Sequence, residues 1–180
     1  THLADVHFAP TQRAKQNLLR EGIDESSIHV TGNTVIDALL FVTKKNYKFK
    51  HHVLRKLDFK RKKVLLVTLH RRENWGEPSK QISIALAKIA EKFRDEVEIV
   101  FSLHKNPIVR KTVKQFLDDI PNIHLLDPID YEEFCHLMKN SYLILTDSGG
   151  IQEEAPSLGK PVILLREVTE RPEGVEAGTV

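Results

Sequence analysis

Short apolar runs recur along the chain and alternate with segments in which apolar residues stand three and four positions apart. The runs are four to seven residues long and rich in Val, Ile and Leu, and they mostly lack polar alternation. Such runs are typical of strands that are buried on both faces. They predict strands over residues 64–69, 97–103, 123–126, 142–146 and 162–165, with two weaker candidates at 6–9 and 28–31.

The segments between these runs have the spacing of amphipathic helices. In residues 80–93, for example, Ile82, Leu86, Ile89 and Phe93 form one apolar stripe. Helices are predicted over residues 11–21, 80–93, 108–117, 131–139 and 151–158. Repeated strand–helix–strand order implies parallel strands with helices packed on both faces. The predicted fold is therefore α/β, a doubly wound parallel sheet.

Composition and charge narrow the class of protein. The 180 residues include 27 Lys and Arg against 25 Asp and Glu, a net charge of +2, which argues against a dedicated nucleic-acid-binding domain. No apolar run approaches the roughly 20 residues that span a bilayer, and no signal-peptide pattern is present. One cysteine, Cys135, fits a reducing compartment. We expect neither nucleic acid nor a membrane as a partner.

Residues 44–63 interrupt the alternation of strands and helices. They contain ten Lys or Arg in twenty positions and one acidic residue, Asp58. A solvated connector with a charged helix face is the favoured interpretation. The alternative is a patch for a polyanion, but the net charge of the chain is small.

Polar residues follow the predicted strands directly. In an open parallel sheet, ligands bind beyond the carboxyl ends of the strands. The segments that follow successive strands are 70–76 (HRRENWG), 104–107 (HKNP), 127–128 (DP), 147–150 (DSGG) and 166–174 (REVTERPEG). One edge of the sheet thus collects two histidines, several arginines and a glycine pair. This pattern predicts an anion-binding cleft.

The segment 147–150 carries the most information, because it follows a buried strand and precedes a helix. The first N–H groups of a helix have no intrahelical partner, and the helix dipole favours negative charge there. Gly149 and Gly150 let the backbone approach a ligand, so a phosphate or diphosphate is the expected guest. The alternative is a purely structural turn in which Asp147 or Ser148 caps the helix. These four residues alone leave both interpretations open.

Three polar residues, Gln152, Glu153 and Glu154, lie in the first turn of the same predicted helix. Acidic residues at this position can simply compensate the helix dipole. The functional alternative is a carboxylate that accepts hydrogen bonds from sugar hydroxyls beside a phosphate. His70 and His104 differ from the other histidines because each follows a buried strand at the same edge, where an imidazole can donate to phosphate.

Other chemistries lack their sequence patterns. The Asp-Ser-Gly-Gly segment is similar to the nucleophile segment of chymotrypsin-like proteases, but those enzymes are antiparallel β-barrels and the Gly-x-Ser-x-Gly elbow is absent. The nine histidines form no His-x-x-x-His pair and no Cys-x-x-Cys is present, so no metal site is predicted. Neither a Gly-x-Gly-x-x-Gly nor a Walker loop occurs, which disfavours a dinucleotide dehydrogenase and a P-loop kinase.

Together, the motifs resemble those of the non-hydrolysing UDP-N-acetylglucosamine 2-epimerases. The resemblance covers essentially the whole chain, in order. It is carried by residues 4–11 (ADVHFAPT), 32–37 (GNTVID), 68–74 (TLHRREN), 104–107 (HKNP), 146–159 (TDSGGIQEEAPSLG) and 169–173 (TERPE).

The resemblance implies one half of a glycosyltransferase-B arrangement, namely the second, nucleotide-binding, Rossmann-like domain. Residues 1–10 would be the crossover from a missing N-terminal domain, and residues 11–180 the UDP-binding domain. The chain opens at Thr1 and stops at Val180 after a polar loop. We therefore expect a segment of a longer protein without its closing C-terminal helix, although processing could also remove a start.

The resemblance also implies roles for individual residues. Ser148, Gly149 and Gly150 would bind the diphosphate of UDP and Glu154 the ribose hydroxyls. Arg171 and His70 would contact the phosphate side, with His70 as the catalytic residue closest to the reacting bond. Arg71 and His104 match positions that the bacterial enzymes use for a second, activating UDP-GlcNAc molecule.

The implied reaction interconverts UDP-GlcNAc and UDP-ManNAc. UDP is eliminated to leave a 2-acetamidoglucal and adds back after reprotonation on the other face, without a cofactor. The acid–base carboxylates would lie in the missing domain, so this chain alone would be inactive. The resemblance further implies a cytoplasmic homodimer that serves cell-surface polysaccharide biosynthesis. A UDP-sugar-dependent glycosyltransferase domain and a non-catalytic UDP-sugar sensor remain alternatives.

Overall fold

The computed structural model describes residues 3–180, which divide into two compact units, residues 3–39 and 40–180. The first unit contains a parallel pair of short strands, β1 (His7–Ala9) and β2 (Ile28–Val30), with helix α1 (Gln12–Arg20) between them in the chain. The Thr11 side chain accepts the N–H of Ala14 and so caps α1. A 3-10 turn covers Glu25–Ser27, and helix α2 (Thr34–Thr43) runs across the division.

The second unit is built on a five-stranded parallel sheet. Its strands are β3 (Lys63–Leu69), β4 (Val97–Leu103), β5 (Ile123–Leu126), β6 (Leu143–Thr146) and β7 (Val162–Leu164). Their spatial order is β5-β4-β3-β6-β7, so the chain begins in the centre, winds to one edge, and returns to continue to the other. This order confirms the predicted doubly wound, Rossmann-like sheet. It also places the topological switch point between β3 and β6.

Helices connect these strands. They are α3 (Glu77–Lys92), α4 (Pro107–Leu117), α5 (Tyr131–Asn140), α6 (Gly149–Ser157) and α7 (Pro172–Glu176), with 3-10 turns at Leu54–Lys56 and Arg72–Asn74. Over residues 3–180, no helix combines the length and the apolarity that crossing a bilayer requires.

The core forms because alternate strand residues point to opposite faces of the sheet. On one face, Leu65, Val67 and Leu69 pack in a single cluster with Leu86 of α3 and Val113 of α4. The intervening strand residues Leu66, Val100 and Ile144 are also completely buried. Helix α5 contacts β3 and contributes the buried side chains Leu137 and Met138. The sequences of the central strands are therefore continuous apolar runs, as expected for strands covered on both faces.

The predicted strands are all present, and each agrees with its predicted bounds to within one residue. Two helices, α2 and α7, are not predicted by the sequence pattern. The helix predicted from residue 151 begins at Gly149 instead. The glycine pair therefore supplies the first two residues of α6 rather than a turn before it. The predicted separation of residues 1–10 from 11–180 stays a prediction, while the two compact units divide at residue 39.

Segment 44–63 is a connector that packs partly on α5. The buried Glu133 carboxylate of α5 accepts the backbone N–H groups of Lys50 and His51 at 2.7 and 2.9 Å. The Tyr47 ring stacks on His136, with ring centroids 4.4 Å apart. These contacts attach the segment to α5 despite its many positive charges.

Candidate functional site: the carboxyl edge of the sheet

The loop after β3 is tied to the end of β6 by one buried carboxylate. Asp147 is completely buried, and it follows β6 directly. Its oxygens accept the backbone N–H of His70 at 2.9 and 3.0 Å, the N–H of Arg71 at 2.8 Å, and the side-chain amide of Asn74 at 2.8 Å. Because β3 and β6 are parallel neighbours with Thr68 opposite Thr146, their following loops emerge side by side. We call this arrangement the Asp147 clamp.

A second polar contact fixes the point at which α6 begins. The hydroxyls of Thr68 and Thr146 lie 2.6 Å apart in the buried ends of β3 and β6. The Thr146 hydroxyl also accepts the backbone N–H of Ser148 at 3.0 Å. The strand ends therefore set the direction in which the chain leaves β6 and enters α6.

The start of α6 is uncapped by side chains. Ser148 is the N-cap residue in extended backbone, but its side chain makes no capping hydrogen bond. Asp147 does not cap either, because its carboxylate serves the loop after β3. The structural alternative of a side-chain cap is thus wrong for both residues. The first-turn N–H groups, beginning at Gly149, keep the anion-attracting character of an open helix end.

The two glycines differ in their surroundings. A Cβ added to Gly150 would meet only Glu154 Oε1 at 3.5 Å and the Ser148 hydroxyl at 3.8 Å, which are ordinary contacts. A Cβ at Gly149 would lie 3.0 Å from Glu170 Oε1. Neither glycine has a positive φ. No backbone conformation therefore requires glycine here. At Gly149 the Glu170 carboxylate takes the space next to a Cβ, whereas Gly150 leaves its backbone open.

The first turn of α6 distributes its three polar side chains among different partners. Gln152 is buried, and its side-chain oxygen accepts the Thr169 hydroxyl at 2.6 Å. Glu153 pairs with the guanidinium of Arg171. Glu154 lies beside Gly150, and burial, helped by the negative charge of Glu153, raises the pKa of the Glu154 carboxyl. Of the three, Glu154 is the one placed to face a ligand at the glycine pair.

A chain of ion pairs borders the same helix end. Glu170 accepts from Arg71 at 2.8 Å through one oxygen and from Arg166 at 2.7 Å through the other. Arg166 also donates to Glu73 at 2.7 Å. These residues come from the loop after β3 and the loop after β7. The edge of the sheet therefore carries converging guanidinium groups next to open helix amides, which is the chemistry that binds phosphate.

Two histidines complete the edge. The rings of His70 and His104 meet edge to face, with centroids 5.6 Å apart. Burial lowers the pKa of His70 despite the opposing effect of the Asp147 carboxylate, which favours the neutral imidazole. His104 accepts the backbone N–H of Asn106 through Nδ1 at 3.2 Å. Across residues 3–180, no group of three or more His, Cys, Asp or Glu side chains is arranged to hold a metal ion.

The structure gathers the sequence-predicted site residues at this one edge. Ser148, Gly149, Gly150 and Glu154 lie at the start of α6, and Arg171 reaches α6 through Glu153. His70 and Arg71 are held by the Asp147 clamp, and His104 contacts His70. The sequence pattern considers Asp147 only as a helix cap. It assigns no positioning role to the residues that hold this set in place: Asn74, Thr146, Gln152, Thr169 and Glu170.

These features define a class: a Rossmann-like domain with arginines, histidines and an open helix end gathered at the switch point of its sheet. The sequence model of one family, described as UDP-N-acetylglucosamine 2-epimerase, matches residues 1–180. The chain belongs to this family.

Individual relatives agree with that assignment. The UDP-N-acetylglucosamine 2-epimerase of Campylobacter jejuni is 53% identical over 186 residues, a match that covers 99% of this chain and 48% of the relative. The crystal structure of UDP-GlcNAc 2-epimerase from Neisseria meningitidis bound to UDP-GlcNAc has a TM-score of 0.88 and 46% identity, over 98% of this chain and 48% of its own. An S. aureus MnaA–UDP co-structure gives a TM-score of 0.89 and 47% identity, over 98% and 47%. The chain thus spans about half the length of the relatives it matches.

Proposed function

We propose that this chain is the UDP-binding half of a UDP-N-acetylglucosamine 2-epimerase. The observation that carries the proposal is the start of α6. The backbone amides of its two glycines are not capped by any side chain, and they lie near Arg71 and Arg171 at the switch point of the sheet. Two relatives whose structures include UDP or UDP-GlcNAc support the choice of ligand.

In the proposed complex, each group has a physical task. Gly149 and Gly150 present backbone N–H groups to the diphosphate, and Ser148 offers its side-chain hydroxyl. Arg171 adds a cation on the same side of α6. Glu154, beside Gly150, accepts hydrogen bonds from the ribose hydroxyls. Its partly buried carboxylate is well suited to this task, because such hydrogen bonds replace the water that burial removes.

The proposed reaction inverts C2 of UDP-GlcNAc. C2 has no adjacent carbonyl, so its proton leaves as the C1–O bond breaks, and negative charge develops on the departing UDP. The helix amides and guanidinium groups stabilise that charge. Neutral His70 lies at the same edge and can donate a hydrogen bond to the departing phosphate. The acid and base that exchange the C2 proton would come from carboxylates of the N-terminal half of the enzyme, and Arg71 and His104 would bind a second, activating UDP-GlcNAc.

The binding claim can be tested with Gly150→Ala. The added methyl group meets only ordinary contacts, and alanine favours a helix, so we expect no loss in the free energy of unfolding. If a diphosphate contacts this backbone, the methyl group will obstruct it and weaken UDP binding at least about tenfold. Isothermal titration calorimetry with UDP measures the effect.

The matched control is Ser157→Ala, at the opposite end of the same helix. It should leave the Kd for UDP unchanged. Equal affinities for Gly150→Ala and the parent chain would contradict the placement of the diphosphate. Absence of any UDP binding to the parent chain would contradict the proposed function itself.

The catalytic part of the proposal predicts that the 180-residue chain alone does not form UDP-ManNAc, because half of the cleft is supplied elsewhere. Robust turnover by the purified chain would contradict this. For the whole enzyme, a product assay with and without a sugar acceptor separates epimerisation from glycosyl transfer.

The proposal also covers the location and the oligomeric state of the whole enzyme. We place it in the cytoplasm as a homodimer that supplies UDP-ManNAc for cell-surface polysaccharide. The single, buried Cys135 supports a reducing compartment. Analytical ultracentrifugation of the full-length enzyme tests the dimer.

A further inference from the structure

One carboxylate lies where the proposed diphosphate has to approach. Glu170 Oε1 is 3.0 Å from the position that a Cβ of Gly149 would take, and Arg71 Nη2 is 3.6 Å from the same point. The surface that Gly149 leaves open is therefore covered by the Glu170 carboxylate and by the guanidinium of Arg71. Gly150, one residue along α6, has no such cover, since its neighbours are Glu154 and Ser148.

The Glu170 carboxylate uses both oxygens on arginine. Arg71 contacts Oε1 and Arg166 contacts Oε2, at 2.8 and 2.7 Å. This is the pattern in which guanidinium groups bind the oxygens of phosphate, because both anions accept charge-assisted hydrogen bonds. Together with the helix end, the two arginines form an anion site, and Glu170 fills it with a negative charge from the chain itself. We call this group of contacts the Glu170 latch.

The latch is built to exchange. The side chains of Glu170 and Arg71 are each 42% exposed to water, whereas that of Arg166 is 11% exposed. The surrounding loop is held separately, because Thr169 donates to Gln152 and the backbone N–H of Arg171 donates to Thr169 at 3.0 Å. Glu170 can therefore rotate away from Gly149 while these backbone and side-chain anchors of the loop remain in place.

We propose that Glu170 is an intramolecular competitor of the nucleotide diphosphate. It lies over Gly149 and holds two arginines, and it must leave before the diphosphate can approach the backbone at Gly149. The inference rests on the proposed function and adds to it a residue that sets nucleotide affinity by competition. Competition of this kind lowers affinity for phosphate-bearing ligands and leaves the nucleoside part unaffected.

The test compares Glu170→Gln with the parent chain by titration with UDP and with uridine. Glutamine keeps the shape and removes the charge, so ligand binding no longer has to displace a carboxylate. Because the pairs are partly exposed, we expect a Kd for UDP that is lower by about 3- to 10-fold. The Kd for uridine should be unchanged. Glu170→Ala, which removes the side chain altogether, should also bind UDP more tightly than the parent.

The matched control is Glu167→Gln, which makes the same charge change at an exposed position of the same loop. It should leave UDP affinity unchanged, and an equal gain in this variant would mean that net charge, not the latch, sets affinity. If the parent chain binds UDP and Glu170→Gln and Glu170→Ala bind it equally or more weakly, Glu170 positions the arginines for the ligand and the competition is refuted. If none of the variants binds UDP, the proposed function falls and the latch proposal with it.

Discussion

Two carboxylates hold the same loop, and they do so in opposite ways. Asp147 is completely buried and binds the backbone N–H groups of His70 and Arg71. Glu170 is partly exposed and binds the Arg71 side chain. A buried carboxylate with fixed backbone donors cannot be released without leaving an unpaired charge in the interior. An exposed carboxylate that pairs with long, partly solvated side chains can be released, because water replaces its partners. The clamp therefore sets the shape of the site, while the latch is free to exchange partners.

The largest expected effect is that of Asp147→Asn. The asparagine amide cannot accept from the three donors that converge on the carboxylate, so buried N–H groups lose their partners. We expect the free energy of unfolding to fall by about 2–4 kcal/mol. Urea denaturation measures it.

Asp127→Asn is the matched control for this change. Asp127 follows β5 and pairs with Arg110 at 2.6 Å, but its side chain is 76% exposed. Asp127→Asn should lower the free energy of unfolding by less than about 1 kcal/mol. Equal losses in the two variants would remove the distinction between clamp and surface pair.

The next effect is that of Thr146→Val, which removes the acceptor of the Ser148 N–H and leaves the Thr68 hydroxyl buried without its partner. We expect the free energy of unfolding to fall by about 1–3 kcal/mol. UDP binding should also weaken, because the start of α6 is no longer held. The double variant Thr68→Val, Thr146→Val removes both hydroxyls. Its loss should be smaller than the sum of the two single losses, and strict additivity would show that the hydroxyls do not interact.

The smallest effect concerns the free energy of unfolding at acidic pH. The backbone N–H of Glu170 itself, together with Arg166 and Arg71, lowers the pKa of the Glu170 carboxyl to about 2. A lowered pKa means that the unfolded chain binds the proton more readily, so this stabilisation is present above about pH 4.5 and is lost as pH falls towards 2.

In Glu170→Gln that contribution is absent. The difference in unfolding free energy between parent and variant should shrink from at most about 1 kcal/mol at about pH 6 to nearly zero at about pH 2. Denaturation series over that pH range measure it. A difference that stays constant would mean that the ion pairs of Glu170 do not stabilise the folded chain.

The same contrast shows what the sequence can predict. Strands buried on both faces are visible as apolar runs, and the doubly wound order that they imply is enough to bring His70, His104 and the glycine pair to one edge of the sheet. Helix α2 escapes prediction because its residues, TVIDALLFVT, are apolar almost all round and show no single stripe. Helix α7 escapes it because it has only five residues.

The positioning contacts could not be predicted from local pattern. Asp147 is 73 residues from Asn74 in the chain, and Glu170 is 99 residues from Arg71. Periodicity reports which way a side chain points on its own strand or helix, but it does not report which donor from a distant loop arrives there. Those pairings follow from strand order and register, which only the folded chain provides.

We propose above that the amides at the start of α6 receive the diphosphate of UDP. The most direct measurement is a titration of the ¹⁵N-labelled chain with UDP, followed by amide NMR. We expect the largest saturable shift changes on Gly149, Gly150 and Ile151, and far smaller changes of these signals with uridine alone. Binding of UDP that leaves these three amides unshifted, with its largest changes elsewhere in the chain, would contradict it.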